Sequence, residues 1–184
     1  MTGPKRRNRG FTLTELLITL AIAGILAMIG APAMGSLLAR TRDASTEASI
    51  ARTLQHARNI AVMHNARVLV CPSGDGRHCE ASDDWQHGWI VARDADGDGK
   101  PEPDTPIIDV QPAMPVGTRV ITSGGRTRLT FHATGSAAGS NVTFTVCHAR
   151  AQDGKAVILS NTGRVRLAKP EPDRLQACLD GFGP

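Results

Sequence analysis

The sequence contains no tyrosine, two tryptophans and four phenylalanines, so aromatic residues make up only 3% of its 184 residues. A hydrophobic core must therefore be built mainly from Val, Ile, Leu and Ala. About 145 residues follow position 40, which is enough for one ordinary domain, and the chain shows no internal repeat. The composition predicts one domain with an aliphatic core.

No pattern typical of an enzyme occurs in the sequence. His132 and His148 lie near serine and cysteine residues, but no nucleophile, base and orienting group can be assembled from them. No glycine-rich phosphate-binding loop opens a helix. We therefore expect a protein without enzymatic activity or cofactor, which does not power its own assembly.

The excess of basic residues is confined to the first ten positions. The whole chain has 21 Lys and Arg against 17 Asp and Glu. Lys5, Arg6, Arg7 and Arg9 supply four of these bases, so 17 bases and 17 acids remain after residue 10. Because positive charge stays on the cytoplasmic side of a membrane protein, the basic leader predicts topology rather than nucleic-acid binding.

A long apolar run follows the basic leader and begins at the Gly10–Phe11 junction. Leu16 to Ala39 gives 24 residues without a charge, and a single carboxylate, Glu15, precedes them. Such a run is long enough to span the roughly 30 Å hydrocarbon core of a bilayer as a helix. A secretory signal would place its cleavage site after the apolar region. Here the boundary between charged and apolar residues lies before that region.

The segment Gly10-Phe11-Thr12-Leu13-Thr14-Glu15 and its apolar run resemble the class III leader junction of type IV pilins and type II secretion pseudopilins. The resemblance implies cleavage after Gly10 by a prepilin peptidase, N-methylation of Phe11, and storage in the inner membrane before assembly with other pilins. It divides the chain into a leader (1–10), a transmembrane and filament-core helix (11–39) and a periplasmic domain (40–184). The protein would be single-pass, and would then enter a pilus or pseudopilus.

Glu15 is a candidate assembly residue. An ionised carboxylate in hydrocarbon costs several kcal/mol unless it is paired. The resemblance implies that Glu15 pairs with the N-terminal ammonium of a neighbouring subunit. The alternative is a plain membrane anchor in which Glu15 reaches back to the membrane surface.

All four cysteines, Cys71, Cys79, Cys147 and Cys178, lie beyond the apolar run. In the periplasm they would form disulfides, and four cysteines allow three pairings. We favour Cys71–Cys79, which closes a short loop, and Cys147–Cys178, which ties the C-terminal tail to a strand. Histidines 64, 78, 87 and 148 raise the alternative of a zinc site, but the spacing fits no structural zinc pattern, and we assign no metal.

The rest of the chain predicts an α+β fold of the type IV pilin kind, in which a long N-terminal helix packs on a mainly antiparallel sheet. Pro32 and Gly35 are expected to kink or locally melt the apolar helix. Beyond residue 40, Ile50, Leu54 and Ala57 begin an apolar stripe at helical spacing that continues at Ala61. The tail 170–184 is expected to be irregular. Strands are predicted at 67–71, 88–94, 106–110, 119–122, 128–132, 141–147, 156–159 and 165–168.

The order of short motifs in this domain, VLVCPSGDGRHC, WQHGWIVARDADGDG, RLTFHATG, FTVC and ILSNTGRVR, resembles the globular domain of the GspH and FimT/FimU minor pilins. The resemblance implies a subunit present in few copies, near a filament tip, rather than a major pilin.

One acidic segment resembles the opening of a calcium loop. Asp94, Asp96 and Asp98 alternate and are followed by Gly99. The eighth and twelfth positions, however, hold Pro101 and Thr105 in place of the hydrophobic residue and the glutamate of an EF-hand. The alternative is a solvated hairpin turn, since Asp-Gly pairs commonly form turns.

Charge is segregated along the domain. Residues 94–109 contain six acids and one base, whereas residues 110–170 contain one acid, Asp153, and eight bases. A basic face on a neutral protein is the expected electrostatic footprint of a polyanion-binding surface. The eight bases are Arg119, Arg126, Arg128, Arg150, Lys155, Arg164, Arg166 and Lys169.

Within this basic stretch, Gly163-Arg164-Val165-Arg166 is the candidate DNA-binding motif. Side chains alternate along a strand, so Arg164 and Arg166 should share one face about 6–7 Å apart, a spacing suited to successive phosphates. Gly163 permits a positive φ and close approach of a phosphate. Arg126 and Arg128 repeat the spacing after two glycines, and Lys169 follows.

The motif resembles the DNA-binding segment of FimT, a minor pilin of DNA uptake, which implies that Arg164 and Arg166 contact phosphates. The alternative is a strand edge whose charges discourage aggregation. Three functions fit the chain: a DNA-binding minor pilin for natural transformation, a structural minor pilin that primes or caps a type IV pilus, and a type II secretion pseudopilin.

The junction generates a first prediction. The substitution Gly10→Val places a branched side chain at the scissile bond and should block maturation, whereas Gly3→Val, away from the junction, should not. Mass spectrometry should find Phe11 at the mature N-terminus of the parent and Gly3→Val proteins. A leader left intact in the parent protein, or a cut beyond Ala39, would contradict it.

Overall fold

The computed structural model describes residues 12–102, 105–149 and 153–182. The chain divides into two units, residues 1–37 and 38–184. Helix α1 covers Leu13–Met63 and continues through Pro32 and Gly35, so the local melting expected there does not occur. The leader and the Gly10–Phe11 junction lie outside the described residues.

In the first unit, the large apolar side chains whose exposure is described are all exposed, from Leu13 (77%) to Met28 (81%). Within the described part of the chain, no helix combines the length and the hydropathy that crossing a membrane requires. The transmembrane assignment of residues 11–39 stays a prediction.

The second unit contains eight strands in two antiparallel sheets. Sheet A has the order β3-β2-β1-β5, and sheet B has the order β4-β6-β7-β8. The strands are β1 Val68–Pro72, β2 Trp89–Arg93, β3 Asp109–Gln111, β4 Thr118–Thr122, β5 Leu129–Phe131, β6 Val142–His148, β7 Gly154–Leu159 and β8 Val165–Ala168. A 3-10 turn covers Ser123–Gly125. The α+β class is confirmed, but the strands form two sheets rather than one.

One core joins the second half of α1 to both sheets. Ile50, Leu54, Ala57 and Ala61 of α1 are at most 2% exposed, as the helical spacing predicts. They pack with core-facing side chains of both sheets, among them Val70 of β1. The other faces of the two sheets therefore point away from the shared core, because strand side chains alternate.

The scarce aromatic residues are concentrated in this core. The rings of Trp85 and Phe144 meet edge to face at 5.0 Å between centroids. Each tryptophan N–H has a partner: Trp85 Nε1 donates to the Arg126 carbonyl at 3.0 Å, and Trp89 Nε1 donates to Thr53 Oγ1 at 3.1 Å. These bonds satisfy polar atoms that would otherwise be costly to bury.

Helix α1 carries a buried carboxylate whose ionisation is influenced by a lysine of β7. Glu47 is 9% exposed. Burial raises the pKa of Glu47, and the positive charge of Lys155 opposes that shift. The positive charge of Lys155 therefore lies close enough to the Glu47 carboxylate of α1 for the two charges to interact.

The sequence predicts an irregular C-terminal tail. In the structure, however, Pro172–Asp180 form helix α2. Proline is compatible with the first turn of a helix because its missing N–H needs no partner there. Leu175, Cys178 and Leu179 follow at helical spacing, and Cys178 is completely buried. The helix packs on β6 and β4, on the face of sheet B away from the core.

Disulfides join Cys71 to Cys79 and Cys147 to Cys178, which is the favoured pairing. The second bond ties α2 to β6, and its Cys178 sulfur lies 3.8 Å from the Thr145 carbonyl oxygen. The zinc alternative fails, because all four thiols are used in disulfides.

The longer disulfide generates a second prediction. Replacing Cys147 and Cys178 by alanine should lower the free energy of unfolding by about 2–4 kcal/mol, because the open chain gains entropy and α2 loses its anchor. The paired control is the alanine replacement of Cys71 and Cys79, whose separation is 8 residues rather than 31. Its loop-length effect should be smaller by about 1 kcal/mol. Denaturant titration measures both, and unchanged amide-exchange protection of α2 would contradict the anchoring role.

Candidate nucleic-acid interface

The GRxR segment begins in the hairpin turn that connects β7 to β8. The turn is closed by backbone bonds from Ser160 N to the Arg164 carbonyl at 3.0 Å and from Gly163 N to the Ser160 carbonyl at 2.9 Å. Ser160 Oγ also accepts a hydrogen bond from Arg164 N at 3.2 Å. Hydrogen bonds of the backbone and of the Ser160 hydroxyl therefore hold the turn, while the Arg164 side chain remains exposed.

Arg164 and Arg166 are both exposed, and Val165 between them packs against the core. Arg166 pairs with Ile158 of β7 in register, which places it on the face of sheet B away from the core. Among the described residues, neither guanidinium has an ion pair or hydrogen-bond partner. The alternation read from the sequence thus gives two free cations at one edge of sheet B.

Gly163 has a different role from the expected one. Its φ is +77°, as a tight turn requires, but the residue is buried. A side chain added there would collide with the Gly135 carbonyl oxygen. The Gly163 N–H already donates to the Ser160 carbonyl, so it is not free to bind a phosphate. The glycine instead allows the turn to pack closely against the loop that contains Gly135.

Arg58 is the residue near this turn that sequence reasoning missed. Its Nε donates to the Gly135 carbonyl at 3.0 Å and lies 3.1 Å from the position that a Gly163 side chain would take. Arg58 is exposed on α1. No local signal distinguished it from the other polar residues of that helix, because its partner is 77 residues away.

The remaining predicted DNA-binding residues are divided between places. Lys169 is exposed directly after β8. Arg126 is half-buried beyond β4 and uses its carbonyl to accept bonds from Trp85 and Thr122. Since β4 and β8 are opposite edges of sheet B, three strand spacings, or about 14 Å, separate them.

Arg128 lies on a different sheet. It precedes β5 of sheet A, and it lines a cleft with Arg77, Lys100 and Ile107. Arg128 therefore does not share a face with Arg164 and Arg166. The sequence repeats the arginine spacing, but the chain leaves sheet B between the two pairs.

Another base of the stretch, Arg119, already has partners. Arg119 pairs with Asp84 at 3.2 Å, and its other terminal nitrogen donates to the Cys178 carbonyl at 3.4 Å. Arg150 lies outside the described residues. The free positive charge near the turn thus comes from Arg164, Arg166 and Lys169, with Arg58 beside it.

The acidic segment forms a compact cluster. Carboxylate oxygens of Asp94, Asp96 and Asp98 lie within 4.8 Å of one another. Asp94 is 1% exposed, and one of its oxygens accepts the Gly99 N–H at 3.2 Å. Oxygen ligands of this kind suit a hard cation such as calcium, but backbone bonds from Gly99 and Lys100 are also those of an Asp-rich turn.

Glu15 lies in the first turn of α1 and is exposed. Its N–H donates to Thr12 Oγ1 at 3.3 Å. Thr12 therefore acts as the N-cap, and Glu15 occupies the position where a carboxylate favours the helix N-terminus. The pairing of Glu15 with a neighbouring subunit stays a prediction.

The family model described as type II transport protein GspH matches residues 48–163. The chain belongs to this family. A second model, the prokaryotic N-terminal methylation motif, matches residues 5–31 and is the motif of membrane-anchored pilus and pseudopilus components. The family is one of pilins and pseudopilins, so the protein is a minor pilin or pseudopilin that assembles with other pilins and is not an enzyme.

Solved structures confirm the fold. The minor pilin FimU of Pseudomonas aeruginosa strain PAO1 superposes with a TM-score of 0.59 at 20% identity, over 72% of this chain and 95% of FimU. The minor pseudopilin EpsH of the Vibrio cholerae type 2 secretion system superposes with a TM-score of 0.51 at 14% identity, over 70% of this chain and 98% of EpsH. No curated protein gives a significant match.

The close approach of Gly163 to Gly135 generates a third prediction. Gly163→Ala should lose about 1–2 kcal/mol from its positive φ and a further 1–3 kcal/mol, roughly, from overpacking against Gly135. Gly139 is the matched control, because it has the same φ of 77° with nothing within 4 Å of an added Cβ. Thermal unfolding should therefore separate the variants, and equal losses would refute the packing role.

Proposed function

We propose that this minor pilin binds DNA without sequence preference through Arg164 and Arg166 and serves DNA uptake in natural transformation. The supporting observation is the pair of exposed, unpaired guanidinium groups on a rigid hairpin edge. Because neither group has a partner among the described residues, a phosphate that binds does not have to displace a carboxylate of this part of the chain. Guanidinium forks match phosphate geometry, and phosphate contacts carry no base information.

The same proposal covers how the protein reaches the cell surface. A prepilin peptidase removes residues 1–10, Phe11 is methylated, and residues 11–39 hold the protein in the inner membrane with the domain in the periplasm. Glu15 then pairs with the N-terminal ammonium of a neighbour during assembly. The match to the N-terminal methylation motif over residues 5–31 supports this sequence of steps.

A purely structural role in a pilus or a secretion pseudopilus is the second candidate. It is favoured by the position of β8 at the edge of sheet B. Charged residues on an edge strand discourage unwanted pairing, so Arg164 and Arg166 would then protect this edge.

The fourth prediction decides between these functions. The full chain, in a non-ionic detergent, is titrated with duplex DNA at several salt concentrations. We expect a dissociation constant in the micromolar range or weaker at physiological salt, roughly 10⁻⁴–10⁻⁶ M. Arg164→Gln with Arg166→Gln should abolish most binding and lower the log–log salt slope by about two units, one for each phosphate that is no longer neutralised.

The structure supplies a matched control for this experiment. Arg126→Gln with Arg128→Gln removes the same charge, but from the far edge of sheet B and from sheet A, so its effect should be smaller. Natural transformation should fall with the first pair and persist with the second. If both pairs weakened binding equally, net charge alone would account for it; unchanged affinity and slope in the first pair would leave the structural role.

A further inference from the structure

A cleft of about 670 Å³ lies on the face of sheet A away from the core. Its walls are the disulfide-closed loop with Arg77 and Cys79, residues 100–102 and 105–107, and Arg128 before β5. A volume of this size is typical of sites that receive a small ligand or a few side chains. Nothing in the proposed DNA interaction at Arg164 uses this cleft.

The base of the cleft is apolar. Cys79 and Ile107 line it and also pack on Leu69, Cys71 and Ile90, three completely buried residues of sheet A. A ligand that enters the cleft therefore meets hydrocarbon and sulfur below its charged rim. Burial of an apolar group there would be favourable, because it removes hydrocarbon from water.

Two arginines on the rim, Arg77 and Arg128, have no acid partner among the described residues. In the described part of the chain, the guanidinium groups of Arg77 and Arg128 have no ion pair or hydrogen-bond partner. Lys100 is 3.7 Å from Asp98, and His78 Nδ1 is 2.7 Å from Asp75. The two arginines are thus the rim cations left free to receive an anion.

The loop that carries Arg77 is preorganised. Asp75 Oδ1 accepts the N–H groups of Arg77 and His78, both at 2.8 Å. The hydrogen bond from the His78 side chain, with these backbone bonds, lowers the pKa of Asp75, so its carboxylate stays charged well into the acid range. The Cys71–Cys79 bond then holds the loop against β1.

Glu102, the one acid among the described residues that line the cleft, is already engaged. Glu102 Oε1 accepts the N–H groups of Ala95 at 2.8 Å and Asp96 at 3.3 Å. It therefore stabilises the neighbouring acidic turn, and it does not pair with either free arginine of the rim.

We infer that this cleft docks an acidic segment of a partner protein subunit, with a carboxylate held by Arg77 and Arg128 and an adjacent apolar side chain seated on Ile107. Arginine forks bind carboxylates in bidentate geometry, and arginine is enriched among residues that dominate protein interfaces. Nucleic acid is the less favoured occupant, because the described lining holds no Phe, Tyr or Trp ring for base stacking and its one aromatic ring, that of His78, is already bonded to Asp75.

The test measures, by calorimetry, the binding of the peptide acetyl-Gly-Leu-Glu-Glu-Val-Gly-amide to the full chain in a non-ionic detergent. Arg77→Gln with Arg128→Gln should weaken binding about tenfold or more, as expected when charge-assisted bonds are removed. Arg164→Gln with Arg166→Gln should leave it unchanged. A control peptide has both glutamates replaced by glutamine. Its affinity for the parent protein should be no higher than the affinity of the arginine variant for the acidic peptide.

Each other result overturns the inference. Peptide binding that survives loss of Arg77 and Arg128 places the peptide elsewhere. Inorganic phosphate that binds the cleft as tightly as the peptide makes it a simple anion site, and an oligonucleotide that displaces the peptide makes it a nucleic-acid site. If the arginine variant fails to fold, the comparison of acidic and glutamine peptides on the parent protein still decides, with amide shifts at Arg77 and Ile107 locating the bound peptide.

Discussion

The apolar stripe on the second half of α1 is the constraint on which the rest of the domain depends. Ala57 and Ala61 are completely buried, so a larger side chain at either place would have to displace its neighbours in a close-packed core. The buried stripe also fixes the rotation of the helix about its axis. Because Ala57 faces the core, Arg58 must lie at its margin, where it meets the Gly135 carbonyl.

The strands were predictable because their signals are local. Alternating apolar residues and intervening turn residues located all eight, and β8 was predicted with its observed bounds. The short β3 is predicted at 106–110 but covers Asp109–Gln111 in the structure, because Ile107 packs on the outer apolar cluster before the strand begins. The division into two sheets depends on which strands pair, and that is a non-local choice the sequence pattern does not encode.

Helix α2 was missed because proline and glycine flank a short segment, which is typical of irregular tails. Its apolar spacing is only nine residues long, too short to form a stable helix alone. The helix exists because Cys178 is bonded to Cys147 and buried on sheet B. Tertiary packing, rather than intrinsic propensity, decides this element.

The candidate site was predictable only in part, for the same reason. Period-two alternation correctly gave exposed Arg164 and Arg166 around an inward Val165. The seating of Gly163 on Gly135, the proximity of Arg58 and the separation of Arg128 all depend on interactions between distant segments. The two arginine pairs therefore have the same spacing in the sequence but lie on different surfaces of the domain.

The hairpin of β7 and β8 also has a mechanical consequence. A pull on its turn, directed along the strands, loads the β6–β7 ladder in shear, so that six register pairs resist together rather than one after another. At the same end of the hairpin, Gly163 packs against Gly135. The Gly135 carbonyl is in turn hydrogen-bonded to Arg58, which connects the turn to α1. Force applied at Arg164 is thus distributed into the helix and the central strands of sheet B, the elements least able to open locally.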